Sequence, residues 1–195
     1  KKKQQLNLSI QFAEKAIHHG LLVCRYYWVS NAYDYYLIES HLRLGDLETT
    51  LEGKRARPKR AVEIGRKGSE YATLSGSPEQ ISGMCHLLSK SLYFLSETES
   101  SLSEKKKLLE EALELREKSV RIMERLTIPN YWDHGVFQNY LALIKTDLAK
   151  LEENEEKKRH LLDEAVSSME KCLEICAKYL QTVAVSPMTA NFVYL

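Results

Sequence analysis

The sequence predicts an all-α protein: antiparallel helical hairpins, about seven helices in all, stacked as an α-solenoid. One phrase occurs twice. Leu108-Leu-Glu-Glu-Ala112 returns 53 residues on as Leu161-Leu-Asp-Glu-Ala165, and both copies continue in register, Glu117-Lys118 being answered by Glu170-Lys171 and Ile122 by Ile175. Fixed-period self-similarity marks repeat architecture, because one hairpin cannot bury its apolar face alone. The register also extends backwards. Arg60-Ala-Val-Glu-Ile-Gly-Arg-Lys67 lies 51 residues before Glu111-Ala-Leu-Glu-Leu-Arg-Glu-Lys118, with the alanine, the glutamate and the aliphatic spacing kept. Finally, Ala32, Gly83 and Gly135 follow one another at steps of 51 and 52 in what read as the first helices. Small residues there let two helices approach closely, whereas glycine in mid-helix otherwise costs about 1 kcal/mol relative to alanine.

Residues 4–22 read as an amphipathic helix, with Leu6, Ile10, Ala13, Ile17 and Leu21 at three- and four-residue steps. Its Glu14-Lys15 echoes the later Glu-Lys pairs, so it reads as the second helix of a hairpin whose first helix is missing. From 27 to 45 runs the most aromatic stretch, beginning beside Tyr26 and holding Tyr27, Trp28, Tyr33, Tyr35 and Tyr36, and closing at Gly45 as a left-handed cap. On a 3.6-residue period these rings cannot all face inward, so part of the cluster reaches the surface. Residues 53–60, Gly-Lys-Arg-Ala-Arg-Pro-Lys-Arg, read as a basic loop with Pro58 opening the next helix. Gly76-Ser77-Pro78 is the clearest boundary, a glycine ending one helix and a serine capping the next. Ile81, Met84, Leu88 and Leu95 then mark a helix to about 97. Leu108, Ala112, Leu115, Ile122 and Leu126 mark another, supported by Glu114–Lys118 and Glu117–Arg121 pairs. Thr127-Ile-Pro-Asn130 breaks it. Phe137, Leu141, Ile144, Leu148 and Leu151 define the helix over 131–152, and the second copy of the phrase fills roughly 155–181. The domain plan is one helical-repeat domain over 1–182, with hairpins at about 27–75, 78–126 and 131–181, and an apolar tail over 183–195. That tail is too apolar for ordinary disorder, so it is expected to pack on the last hairpin or in a groove of a neighbouring molecule, a route to self-association.

Twenty-eight basic residues against 27 acidic leave a charge of +1, which argues against a global polyanion-binding surface. Four cysteines without paired spacing suit free thiols in a reducing, cytoplasmic setting. No stretch is long and apolar enough to suggest a membrane span.

Trp28, Ala32 and Tyr35, a tryptophan followed by a small residue and then an aromatic at steps of four and three, resemble the first-helix signature of tetratricopeptide repeats. Glu79-Gly83-His86 keeps only the glycine, and Tyr131-Gly135-Gln138 keeps the glycine and an aromatic. The period of 51 to 53 exceeds the 34 of that family, so both helices of each hairpin are longer, as in the sensor and scaffold regions of signalling proteins. The resemblance implies a regulatory module that binds a protein or peptide along the face of its first helices. Position by position that face comprises Tyr26, Val29, Tyr33, Tyr36, Gln80, Trp132, Asn139 and Tyr140.

Reactive chemistry finds little footing. His18 and His19 point about 100° apart on a helix and cannot clamp one metal. Cys172 and Cys176 share a face, but no second ligand pair completes four, so packed thiols are the plainer reading. Phosphate-cradling, nucleophile-elbow and zinc-hydrolase signatures are absent; no cofactor or metal is expected, nor an enzyme. Lys54, Arg55, Arg57, Lys59 and Arg60 form an anion-binding candidate for an acidic peptide or nucleic-acid backbone, against the simpler reading of a solvated loop.

Overall fold

In the computed structural model every described element is helical. It describes residues 1–126 and 131–185, and the side chains of all of these except 35, 131, 132 and 181–185. The all-α hairpin arrangement expected from the sequence is what forms. The chain divides into two compact units, Lys1–Ile122 and Met123–Leu195.

In the first unit α1 (Lys2–Leu22) buries Ala13, Ile17 and Gly20, continuing the stripe read from the sequence. Gly20 is there because the chain turns back on it: a Cβ at this position would lie 2.6 Å from Val29 Cγ2. The next helical run comprises α2 (Tyr26–Asn31), a π-helical segment (Ala32–Ile38) and α3 (Glu39–Gly45). Gly45 is helical and buried, not the left-handed cap expected; among the described glycines only Gly76 has positive φ.

The basic stretch is also a correction. Residues 53–60 are not a loop but the first turns of α4 (Leu51–Ser75), and Pro58 is buried inside the helix and not at its start. The helix begins earlier because Thr50 caps it, its hydroxyl accepting from the Gly53 amide at 3.1 Å. Pro58 deprives the Lys54 carbonyl of its usual donor. Three guanidiniums along this stretch pair with acids instead: Arg57 with Glu48 at 3.2 Å, Arg55 with Glu99 at 2.8 Å and Arg60 with Glu63 at 2.9 Å.

The boundary at 75–78 forms as its residues dictate. Gly76 adopts φ 68°, and the Ser77 hydroxyl accepts from the Gln80 amide at 3.3 Å to open α5 (Pro78–Glu97). Ser77→Ala is expected to cost about 1 kcal/mol, read as a lower urea midpoint; an unmoved midpoint would show that the cap contributes nothing.

Helix α6 (Leu102–Met123) runs back along α5 through small polar residues. Ser89 donates to the Ala112 carbonyl at 2.7 Å, Ser119 donates to the Ser82 carbonyl at 2.8 Å, and Ser82 donates to the Ser119 carbonyl at 2.9 Å. The buried stripe of α6 is Leu109, Ala112, Arg116, Ser119, Val120 and Met123, rotated from the Leu108–Leu115–Ile122 line predicted, whose members are half-buried. Arg116 is 0% exposed; its guanidinium donates to the His86 carbonyl at 3.1 Å and to His86 Nδ1. An imidazole accepting through Nδ1 is neutral, and burial, then Arg116 and Lys90, hold the His86 pKa well below its ordinary value.

The second unit pairs α7 (Tyr131–Leu151) with α8 (Glu155–Val185), so Val183–Val185, read from the sequence as the start of the tail, belong to a helix. The remainder of that tail, 186–195, lies outside the described residues. Phe137, Leu141, Ile144 and Leu148 of α7 and Ala165, Cys172 and Ile175 of α8 are buried, as the pattern predicts. Gly135 admits α8 closely: a Cβ there would lie 3.2 Å from Cys176 Sγ, and the Cys172 thiol donates to its carbonyl at 3.2 Å. The three alanines that set the repeat, Ala61, Ala112 and Ala165, are all buried.

Candidate partner-binding surface

The aromatic stretch sorts into an inner and an outer set. Tyr71, arriving from α4, stacks on Tyr33 at 5.5 Å and on Tyr26 at 6.3 Å between ring centroids, both at 18°. Tyr33 is buried, and burial followed by the Tyr71 phenol raises its pKa. Tyr26 is half-buried, its pKa raised first by a hydrogen bond with Cys24 and then by that thiol's charge. Val29 is 0% exposed, and Gln80 is buried with its amide donating to Asn31 Oδ1 at 3.0 Å. Val29, Tyr33 and Gln80 therefore face the interior and not a partner. The spacing of one motif does not report which turn of the helix meets α4.

Tyr36 does stand at the surface, 57% exposed, as expected. Residues absent from the predicted face are exposed too: Trp28, 65% exposed, and Tyr27, edge to face with it at 5.5 Å, with Leu22 and Val23 around the turn between α1 and α2. A signal for one of these was present. Leu22 falls outside the Leu6–Leu21 stripe of α1, so helical phase points it outward. Of the remaining predicted residues, Asn139 and Tyr140 are half-buried on α7 in the second unit, and Trp132 lies outside the described side chains.

The first helices of the first two hairpins also meet through charge. Glu39 accepts from Lys90 Nζ at 2.9 Å and from Arg43 Nε at 3.0 Å. Burial works against its charge, but Lys90 and Arg43 win, and the carboxyl stays below its ordinary pKa. The anion-binding candidate fares less well, since Arg55, Arg57 and Arg60 already hold carboxylates, while Lys54 and Lys59 are exposed. A polyanion would have to displace those acids. His18 and His19 are both exposed, and no group of three or more His, Cys, Asp or Glu side chains gathers as a metal site among the described residues. No helix among those residues is long and apolar enough to cross a membrane.

No protein-family model matches the chain, and no curated protein matches it. Two solved structures are similar in outline. One, titled "Computational Design of Self-Assembling Cyclic Protein Homooligomers", is 14% identical over 89% of this chain and 70% of its own, with a TM-score of 0.44. The other, titled "DHF58 filament", is 15% identical over 91% of this chain and 86% of its own, also at 0.44. Likenesses at that level carry no argument about activity.

Proposed function

We propose that the chain is a tetratricopeptide-like interaction module, a scaffold or sensor segment of a regulatory protein, that holds a protein or peptide partner on the first-helix surface around Trp28 and Tyr36. The exposed Trp28 carries the reading. Its neighbours Tyr26 and Tyr33 are drawn into a stack with Tyr71, while Trp28 and Tyr27 lie open, as do Leu22 and Val23. Contiguous exposed apolar surface on a soluble chain marks contact sites, and tryptophan and tyrosine bring large area at low conformational cost. The hairpin architecture and the close approaches at Gly83 and Gly135 support the family likeness. Four cysteines, none bridged, suit the cytoplasm.

The test is affinity capture with the wild-type chain, with Trp28→Ala/Tyr36→Ala and with Lys54→Ala/Lys59→Ala. Proteins retained by the wild type are expected to be lost from the aromatic variant at an unchanged melting temperature, and kept by the lysine variant. An identical retained set for the aromatic variant removes the proposal; loss confined to the lysine variant transfers the site to α4.

A further inference from the structure

Helix α8 carries two cysteines one turn apart, Cys172 and Cys176, and α7 meets them with Gly135. The two thiols differ in what they touch. Cys172 is buried and donates to the Gly135 carbonyl at 3.2 Å, whereas Cys176 is exposed. Gly135 is what leaves room for the second sulfur, since a Cβ there would lie 3.2 Å from Cys176 Sγ. The thiols also hydrogen-bond each other. Because the Cys172 proton is committed to the carbonyl, its lone pairs are left to accept from Cys176, and the pair forms a short relay from solvent to the Gly135 carbonyl. Burial first, then the charge and hydrogen bond of Cys176, raise the Cys172 pKa. Cys172 therefore keeps its proton and is shielded, while dissolved reagents reach Cys176. An exposed thiol backed by a second one is the arrangement of a reversible redox pair, and the first sulfur to react is the one an oxidant can reach.

Helix geometry sets the consequence of joining them. Residues four apart on a helix lie about 6 Å apart at Cα, which a disulfide tolerates, but about 5–6 Å apart at Cβ, where a disulfide needs about 3.5–4.5 Å. The bond closes only if α8 tightens around 172–176. A strained disulfide is easily reduced, which suits a bond that is made and unmade. Closure also removes the Cys172 proton, so the Gly135 carbonyl loses that donor. We propose that Cys176 and Cys172 are a peroxide-responsive dithiol, Cys176 reacting and Cys172 resolving, whose oxidation distorts α8 against α7 at Gly135. The Cys176 thiolate attacks one oxygen of hydrogen peroxide, the O–O bond breaks, and the other oxygen leaves as water after taking up a proton, giving a sulfenic acid on Cys176. The Cys172 sulfur then attacks the Cys176 sulfur; the S–S bond forms, the S–O bond breaks, and the hydroxide departs with the Cys172 proton as water. The two thiols have passed two electrons to one peroxide, and a small-molecule thiol returns them.

Lys171 and Lys178 let trypsin release residues 172–178 as one peptide carrying both cysteines. After the full chain is treated with one equivalent of hydrogen peroxide and its free thiols are blocked, that peptide is expected to have lost two hydrogens, and prior dithiothreitol to restore them. In Cys172→Ser the same treatment should stop at a sulfenic acid on Cys176 that dimedone traps. In Cys176→Ser, Cys172 should stay a thiol, both variants being checked for native circular dichroism. The strain is read by comparison: the disulfide of the folded chain should be reduced at roughly tenfold lower dithiothreitol than the same disulfide in the excised 172–178 peptide. The oxidised chain should also melt below the reduced one. A 172–178 peptide that keeps both hydrogens while Cys24 is oxidised overturns the proposal. So does a Cys176→Ser variant whose Cys172 is oxidised as fast as in the wild type, and so do equal reduction midpoints in chain and peptide, which would mean that α8 has no need to move.

Discussion

Between pH 7 and pH 5 the first unit is expected to lose about 2 kcal/mol of stability through His41, with a further loss through His86, because these two buried histidines fold only as neutral rings. Burial, reinforced by Arg57 and Arg60, lowers the His41 pKa to about 4. His86, fully enclosed and facing Arg116, is held well below its ordinary value. In the unfolded chain both take up a proton near pH 6.5, so as the pH falls the unfolded state binds protons first. Their contribution is complete above that pH and is lost on the way down to the folded values, at about 1.4 kcal/mol per histidine per pH unit. At pH 5 that is about 2 kcal/mol for His41, and His86 adds a loss of the same sign. Glu39, Glu48 and Glu79, whose pKa values are also lowered, add to acid loss only beneath the ordinary carboxylate range. The window from 6.5 to 5 thus belongs to the histidines. In the second unit burial lowers His134 likewise, Glu124 opposing. The measurement is the urea midpoint across this range, followed by Trp28 emission in a chain with Trp132 replaced by phenylalanine. His41→Gln should reduce the loss between pH 7 and pH 5 by about 2 kcal/mol; a flat wild-type profile would mean that both rings are reached by water.

Helix existence was legible wherever apolar spacing and a local cap agreed, as at Gly76-Ser77-Pro78 and along Phe137–Leu148. What escaped the sequence depends on partners far along the chain. The stretch 53–60 reads as loop because charge is dense and a proline interrupts it, yet Thr50 caps the helix and Glu48 and Glu99 neutralise its arginines. The α6 stripe was misplaced because Arg116 and Ser119 are polar by type but buried by partnership with His86 and Ser82. The partner surface was half legible for a related reason. Whether Tyr33 or Trp28 turns inward is decided by Tyr71, some forty residues on, and by the π-helical segment, whose wider turn breaks the 3.6-residue phase of the motif.

Ile38→Ala is expected to destabilise the first unit by about 3 kcal/mol, within the usual range for emptying a filled core site. Ile38 is 0% exposed and belongs to the cluster that unites α1, the π-helical segment, α4 and α5. The three carbons removed account for about 2.4 kcal/mol in transfer alone, at about 0.8 each, and the cavity adds the rest. Gly65 makes the site testable by coupling. A Cβ on Gly65 would meet Leu88 Cδ1 at 3.0 Å and Ile38 Cδ1 at 3.5 Å. In the wild type Gly65→Ala sets a helix-propensity gain of about 1 kcal/mol against a squeeze on one movable leucine tip, and the two nearly cancel. In the Ile38→Ala background the squeeze is relieved, since Leu88 can move into the vacated space. Gly65→Ala should then recover about 1 kcal/mol there. The urea midpoints of the wild type, the two single variants and the double variant, read from Trp28 emission, give that coupling. Strict additivity would mean that the space left by Ile38 closes by movement of the π-helical segment and not of Leu88.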